Sequence, residues 1–360
     1  MSDVEEDDCE ELPEGLVQRR AAFDIGSGST KLMIADVDVE TGQLGDIVHA
    51  SERTVKYAFD WKTHGVLSDA VQAEGIKVLH SLRTEVLASG CTAYTAVATE
   101  VFRKAPNGAA FLQRVRAELG LEIALVSQEE EAQIGFRTAV AVGQRGRAAT
   151  LAWDSGGGSF QLSREVAVGE AGAPPRLRTY VGALGASVAT AAMIEHVQKR
   201  RLASSNFCSL RRTASPNPAS RAEAELLVAH CRAQLETPPP WLRGAALATA
   251  IGGANSIFRC VEQVTHDLDP AAAAAAAAAG APPGRFGVAA VRAALEACCG
   301  LTDAALAEKG HVEAPMVVPK LCLLLAVLEA CGLQEFECAG LWPQALTPTP
   351  AWTLSPSGFG

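Results

Sequence analysis

The sequence predicts an α/β fold built twice over, two domains facing each other across a cleft. Its basis is a pair of glycine-rich turns of the same form, Asp24-Ile-Gly-Ser-Gly-Ser-Thr30 and Asp154-Ser-Gly-Gly-Gly-Ser-Phe-Gln161. Each follows an apolar stretch that reads as a buried strand, and each runs into a second β-like stretch, residues 31–37 and 162–166. A strand, turn, strand, strand, helix order begins near residue 20 and begins again near residue 149, a repeat at the level of elements and not of residues.

Composition agrees with a folded chain of this size. A hydrophobic share of 48% with 20% charged residues is that of a globular protein, and 360 residues suffice for two domains. Part of the formal charge of −10 comes from an acidic run over residues 3–14, which reads as a solvated tail. That balance disfavours a nucleic-acid partner. A polyanionic substrate would need bound Mg²⁺ or locally clustered Arg and Lys. The ten cysteines show no C-x-x-C spacing and read as reduced core thiols, which points to the cytoplasm, although a reducing organelle would suit them equally. No apolar leader precedes residue 20. Residues 317–333 are apolar but hold Pro319, Lys320 and Glu329, so they read as a core helix and no membrane partner is expected.

Taken in order, residues 20–26, 31–37 and 46–57 read as strands joined by tight turns. Ser68 then opens a helix with Val71, Ile76, Leu79, Leu82 and Val86 on one face, ended by Gly90. Strand 93–98, helix 108–119, strand 121–126 and helix 128–141 complete the first half. The second half is expected to hold strands 149–153, 160–167 and 177–181, then a helix over 186–200. An exposed loop over 204–220, a helix over 222–234 and a strand over 246–251 follow, with Gly252-Gly253-Ala254-Asn255 opening another helix. The nine-alanine run 271–279 reads as a low-complexity insertion near 268–284. The expected divisions are therefore a tail over 1–19, domains over 20–145 and 146–335, and an irregular tail over 336–360.

The glycine turns carry the chemistry. Glycines let a backbone approach an anion and point successive N–H groups at it, the hydroxyls add donors, and the leading carboxylates Asp24 and Asp154 can hold a cation. The candidate phosphate-binding residues are Gly26, Ser27, Gly28 and Ser29 in the first turn and Gly156, Gly157, Gly158 and Ser159 in the second. Gly252 and Gly253 form a third site at a strand-to-helix switch. Ser127-Gln128-Glu129-Glu130 has the form of a helix capping box, which gives Glu130 a structural task; Glu131 is not needed by the box. Either Glu130 or Glu131 could act as general base on water. Arg103, just after a strand, could hold a phosphate oxygen. The seven histidines lack ligand spacing, and no G-x-S-x-G or P-loop lysine motif occurs.

These segments together resemble the exopolyphosphatase / guanosine pentaphosphate phosphatase (Ppx/GppA) family, within the actin, Hsp70 and sugar-kinase superfamily. Asp24–Thr30 looks like the family's D-x-G-S-N-S loop, residues 98–107 like A-T-x-x-x-R-x-A-x-N, and residues 127–132 like S-x-x-E-E-A. Asp154–Gln161 looks like D-I-G-G-G-S-T-E and residues 251–254 like the later glycine loop. The resemblance implies two actin-like (ribonuclease H-like) domains and Mg²⁺-dependent hydrolysis of a terminal phosphoanhydride. The substrate would be inorganic polyphosphate or a phosphorylated guanine nucleotide. It further implies Asp24 and Asp154 near the metal, Glu130 or Glu131 as base, and Arg103 on the scissile phosphate. Exopolyphosphatase relatives are often dimers, so a homodimer is left open.

The departures are Gly28 in place of Asn, Gln161 in place of Glu, and a segment 338–342 that does not match the family's closing glycine motif. The missing carboxylate leaves open a catalytically weak nucleotide or polyphosphate sensor, and an ATP-using kinase-like member of the superfamily is a further alternative.

Overall fold

The computed structural model describes residues 17–39, 44–142, 149–167, 174–200, 215–242, 247–253, 255–278, 284–338 and 357–358. The first half contains β1 (Val17–Ile25), β2 (Ser29–Asp38), β3 (Leu44–Thr54), α1 (Tyr57–His64), α2 (Asp69–Ala88), β4 (Ala93–Ala98), α3 (Glu100–Lys104), α4 (Gly108–Leu119), β5 (Ala124–Leu125) and α5 (Gln128–Val142). The second contains β6 (Ala152–Ser155), β7 (Phe160–Val166), β8 (Arg176–Gly182), α6 (Ala186–Ala192), α7 (Arg221–Gln234), β9 (Leu247–Ile251), α8 (Ile257–Leu268), α9 (Pro270–Ala278), β10 (Arg285–Gly287), α10 (Val288–Cys298), α11 (Asp303–Glu308), α12 (Val317–Cys331) and β11 (Glu335–Cys338). A short strand, β12 (Ser357–Gly358), follows.

Topology confirms the duplication. In the first sheet β5 and β4 run parallel to β1, and β2 and β3 continue it antiparallel. In the second, β11 and β9 run parallel to β6, and β7 and β8 continue it antiparallel. The order of five strands is therefore the same in both sheets, with β12 added to the first and β10 to the second.

Each half has its own apolar core. Trp153 is fully buried, edge-on to Phe258 and Phe336 at centroid separations of 5.1 and 5.6 Å. Beside it lies α12, buried along almost its whole length and packed on α7, α8 and α10, so its apolar run is that of a core helix. Every described cysteine is a free thiol, and all but Cys299 are buried. On the other side Tyr57, Phe102 and Phe111 cluster under α1, α3 and α4.

Helix α5 belongs to both halves. Ile134 packs with Ala22, Val97 and Val126 beneath the first sheet, while Phe136 and Ala139 pack with Ala152 and Ile251 beneath the second. A helix assigned by sequence to the first domain thus rests on β6, β7 and β9 as well.

Several expected elements shift. Strand β1 starts at Val17, inside the expected tail, while residues 1–16 lie outside the described residues. Helices α1 and α3 were not expected: they are one or two turns long, too short to display a helical period. The expected strand 121–126 is reduced to Ala124–Leu125. After Ala192 the chain continues as a π-helical turn, Met193–Val197, and does not stay α-helical to 200. Alanines of the expected insertion form α9, as the high helix propensity of alanine favours. The expected irregular tail contributes β11, parallel to β9, and β12, antiparallel to β4. The expected loop 204–220 lies largely outside the described residues.

Gly185 caps α6 where that helix meets the second glycine turn. A β-carbon there would come within 2.3 Å of the Gly157 carbonyl carbon, so only glycine permits the approach. Gly185→Ala is therefore expected to destabilise the protein by about 1–3 kcal/mol, the usual range for overpacking. Urea denaturation measures it; an unchanged midpoint would contradict the packing described.

Candidate functional site

The two glycine turns are built alike. The Gly26 N–H donates to the Ser29 carbonyl at 2.9 Å, and the Gly156 N–H donates to the Ser159 carbonyl at 2.9 Å. Each turn closes an antiparallel hairpin that puts Asp24 opposite Lys31 and Asp154 opposite Gln161. A short helix ties back the carbonyls of each turn. Ser27 O accepts from Ala58 N in α1 (2.9 Å) and Gly28 O from Val55 N (3.2 Å), while Gly156 O and Gly157 O accept from Ala186 N and Ser187 N at the start of α6 (3.1 and 3.0 Å). With acceptors turned to the helices, the N–H groups of Ser27, Gly28, Gly157 and Gly158 have no acceptor among the described residues. Successive free N–H groups in a glycine turn are an anion site.

Both turns line one cavity of about 760 Å³ between the two sheets. Asp24, Asp154, Glu131, Gly252 and Gly253 line it too. The helix after Gly253 begins only at Ile257, with Ser256 as its cap, so the third glycine site is a loop and not the opening of a helix; Ala254 lies outside the described residues. Lys320, in the first turn of α12, holds that loop by donating to Asn255 O at 2.6 Å and also donates to Glu313 Oε2 at 2.6 Å.

The structure separates the two candidate bases. Glu130 is exposed and completes the capping box: its carboxylate accepts from Ser127 N at 2.7 Å, and its own N–H donates to Ser127 Oγ at 3.2 Å. Those hydrogen bonds hold its carboxyl below the usual range, so Glu130 stays ionised outside the cavity. Glu131, one residue on, turns inward. Burial pushes its carboxyl up to about 7; Arg103 opposes the rise, and the neighbouring charges of Asp154 and Asp24 add to it. Asp154 is likewise pushed up to about 6 by burial, with Lys31 opposing and Asp24 adding.

Arg103 is placed otherwise than expected. Its guanidinium donates to Glu131 Oε2 at 2.9 Å and to the Val126 carbonyl, and it lines a second cavity of about 340 Å³ next to the first. It pairs with the candidate base and lines the second cavity, not the main one. Glu100, on the same helix, borders both cavities; a β-carbon on Gly158 would come within 2.8 Å of its Oε2.

Motif reading missed Lys31, Glu52 and Glu100. The signal for the first two is the hairpin register: Lys31 lies opposite Asp24 on one side and Glu52 on the other, so the three share one face of the sheet. Lys31 Nζ lies 3.4 Å from Asp24 Oδ2. Glu52 Oε1 accepts from Ser29 Oγ at 2.7 Å, and its Oε2 is buried with no hydrogen-bond partner among the described residues.

Mg²⁺ suits this donor set. It is bound through one or two carboxylates with waters and phosphate oxygens completing its shell, and Asp24, Asp154 and the Gln161 amide supply hard oxygen donors to the cavity. Among the described residues no cluster of three or more His, Cys, Asp or Glu side chains forms a closed metal cage, so any such ion would need phosphate oxygens to complete its coordination.

Residues 36–169 match the model of the Ppx/GppA phosphatase family. Through this region the chain is similar to the Ppx/GppA phosphatase family. The matched segment includes α3, α5 and the second glycine turn, and the first turn lies upstream of it. Exopolyphosphatase 1 of Mycobacterium tuberculosis H37Rv and that of Mycobacterium bovis are each 26% identical over 148 residues, 41% of this chain and 42% of theirs. The alignment thus spans less than half the length of these curated relatives. Among solved structures, the Ppx/GppA family member of Aquifex aeolicus superposes with a TM-score of 0.64 at 17% identity, covering 93% of this chain and 96% of that one. An exopolyphosphatase from Cytophaga hutchinsonii gives 0.64 at 15% identity, covering 89% and 94%. The fold is the two-domain actin-like fold of these proteins.

The Glu131–Arg103 pair sets the first test of the site. Since Arg103 holds the Glu131 carboxyl down, Arg103→Met is expected to raise the Glu131 pKa further above 7. Carbon-13 NMR of labelled glutamate across pH 5–9 measures it; an unmoved or lowered titration would contradict the pairing. A β-carbon on Gly28 meets no atom within 4 Å, so Gly28→Asn should fold with unchanged stability in the same buffer.

Proposed function

We propose that this protein hydrolyses a terminal phosphoanhydride bond, with Glu131 as general base and the two glycine turns holding the phosphate chain. The observation that carries the reading is Glu131: a carboxylate poised near pH 7 on the wall of a cavity framed by two anion-binding turns. The match of residues 36–169 to the Ppx/GppA family model and the similarity to exopolyphosphatases support the same class of reaction. Inorganic polyphosphate and phosphorylated guanine nucleotides are the proposed substrates.

In this reading the free N–H groups of both turns bind non-bridging phosphate oxygens, and the hydroxyls of Ser27 and Ser159 add donors. Glu131 orients a water in line with the leaving bridge oxygen and takes its proton. Arg103 fixes the carboxylate and keeps part of it ionised at neutral pH. Mg²⁺, held by Asp24 and Asp154, would supply positive charge to the phosphoryl oxygens. Gln161 adds an amide beside Asp154 in place of a carboxylate, which favours a second reading, a sensor that binds the same ligands without turnover.

Phosphate release from polyphosphate, pyrophosphate, ATP and guanosine pentaphosphate in Mg²⁺ tests the proposal. Glu131→Gln should lower kcat about 10²–10⁴-fold, while Glu130→Gln should leave it unchanged, since Glu130 serves only the helix cap. The base must be ionised, so wild-type kcat should fall as pH drops below about 7, in line with the raised Glu131 carboxyl. Equal activity of wild type and Glu131→Gln would remove the mechanism. Binding without turnover on any of the four would establish the sensor reading.

A further inference from the structure

The two cavities meet at one charged side chain. Glu100, Ser159 and Gln161 line both, and of the three only Glu100 carries a charge. The candidate base stands at the same junction, because Glu131 lines the main cavity and is paired at 2.9 Å with Arg103, which lines the second. A phosphorus that faces Glu131 therefore sits at this end of the main cavity. Any phosphate beyond it enters the second cavity, whose walls offer donors from Arg103, Lys104, Gln128 and Gln234.

Glu100 fills the way through. It is the first residue of α3 and three-quarters buried, and its Oε2 lies so near Gly158 that a β-carbon there would come within 2.8 Å of it. That oxygen has no hydrogen-bond partner among the described residues. Its other oxygen, Oε1, pairs with Lys104 at 2.5 Å, but the Lys104 side chain is more than half exposed, and exposed pairs contribute little. Packing against Gly158 is what fixes the carboxylate. A carboxylate is at odds with the turn beside it, since a phosphate oxygen bound there meets a like charge at close range.

We propose that Glu100 is the end-stop of the cleft, a specificity-determining residue whose negative charge excludes any phosphate beyond the one facing Glu131. Only the terminal phosphoryl group can then be attacked. The inference rests on the proposed hydrolysis and names what restricts it to chain ends. In the reaction, water oxygen bonds to the phosphorus facing Glu131 and the water proton passes to Glu131. The bridging P–O bond breaks, and its electron pair leaves on the remaining chain. With the stop in place the attacked phosphorus is terminal, and inorganic phosphate is released. Without it the attacked phosphorus can carry one further phosphate in the second cavity, and pyrophosphate is released by the same step. A glutamate that served only the start of α3 and its pair with Lys104 would leave the products unchanged.

Phosphorus-31 NMR of the first products from linear tetrapolyphosphate in Mg²⁺, before tripolyphosphate is consumed, separates these roles. Wild type and Lys104→Met should give inorganic phosphate and tripolyphosphate. Glu100→Ala should raise pyrophosphate formed per inorganic phosphate at least tenfold, about 1.4 kcal/mol between the two barriers. An unchanged ratio in Glu100→Ala, or the same rise in Lys104→Met, overturns the inference and leaves the proposed function intact. No turnover by wild type overturns both. Should Glu100→Ala fail to fold, Glu100→Gln, which keeps the shape and removes the charge, must release pyrophosphate among its first products, and its absence overturns the inference.

Discussion

Everything in the cleft depends on how two hairpin turns dispose of their backbone polar groups. Buried carbonyls must find donors, and here Val55 and the first turn of α1 provide them for Gly28 and Ser27, and the start of α6 for Gly156 and Gly157. That commitment leaves the intervening N–H groups facing the cavity from opposite walls. Packing requires a glycine at position 185, where a β-carbon would meet the Gly157 backbone. Duplication turns one such turn, a modest anion site, into a pair that frames a single cavity.

Charge sets the next constraint. Asp24, Glu52, Glu131 and Asp154 share a mostly buried space, and burying carboxylates together raises their affinity for protons. The raised Asp154 and Glu131 carboxyls record that cost. Lys31 and Arg103 offset it from two directions, one within the sheet and one from α3. Helix α5 brings these groups together. It is wedged between the sheets through Ile134 on one side and Phe136 on the other, so its first turn, which carries Glu131, faces the second glycine turn. A mutation that loosens α5 would therefore disturb Glu131 and Asp154 at once.

Much of this was legible in the sequence. The paired turns stand out because glycine and serine recur at the same offsets from an aspartate, and they located the cavity. The long helices α2, α4 and α5 were legible through their apolar period and their caps. What was not legible depends on contacts distant in sequence. Choosing between Glu130 and Glu131 needs the direction of α5 relative to β6; the capping box accounted for Glu130, but which neighbour faced the cavity was a matter of tertiary packing. Arg103 reads as a phosphate ligand from its motif, and only the placement of α3 shows it spent on Glu131. Lys31 was visible as a residue, but its neighbours Asp24 and Glu52 emerge only once both hairpins are folded in register.

A crystal structure with tripolyphosphate bound tests the central claim most directly. The account predicts one phosphate chain reaching between the turns, with non-bridging oxygens about 2.7–3.2 Å from the N–H groups of Gly28 and Gly158 and the terminal phosphorus facing Glu131. A chain bound elsewhere, or one that touches a single turn and leaves Glu131 facing solvent, would contradict it.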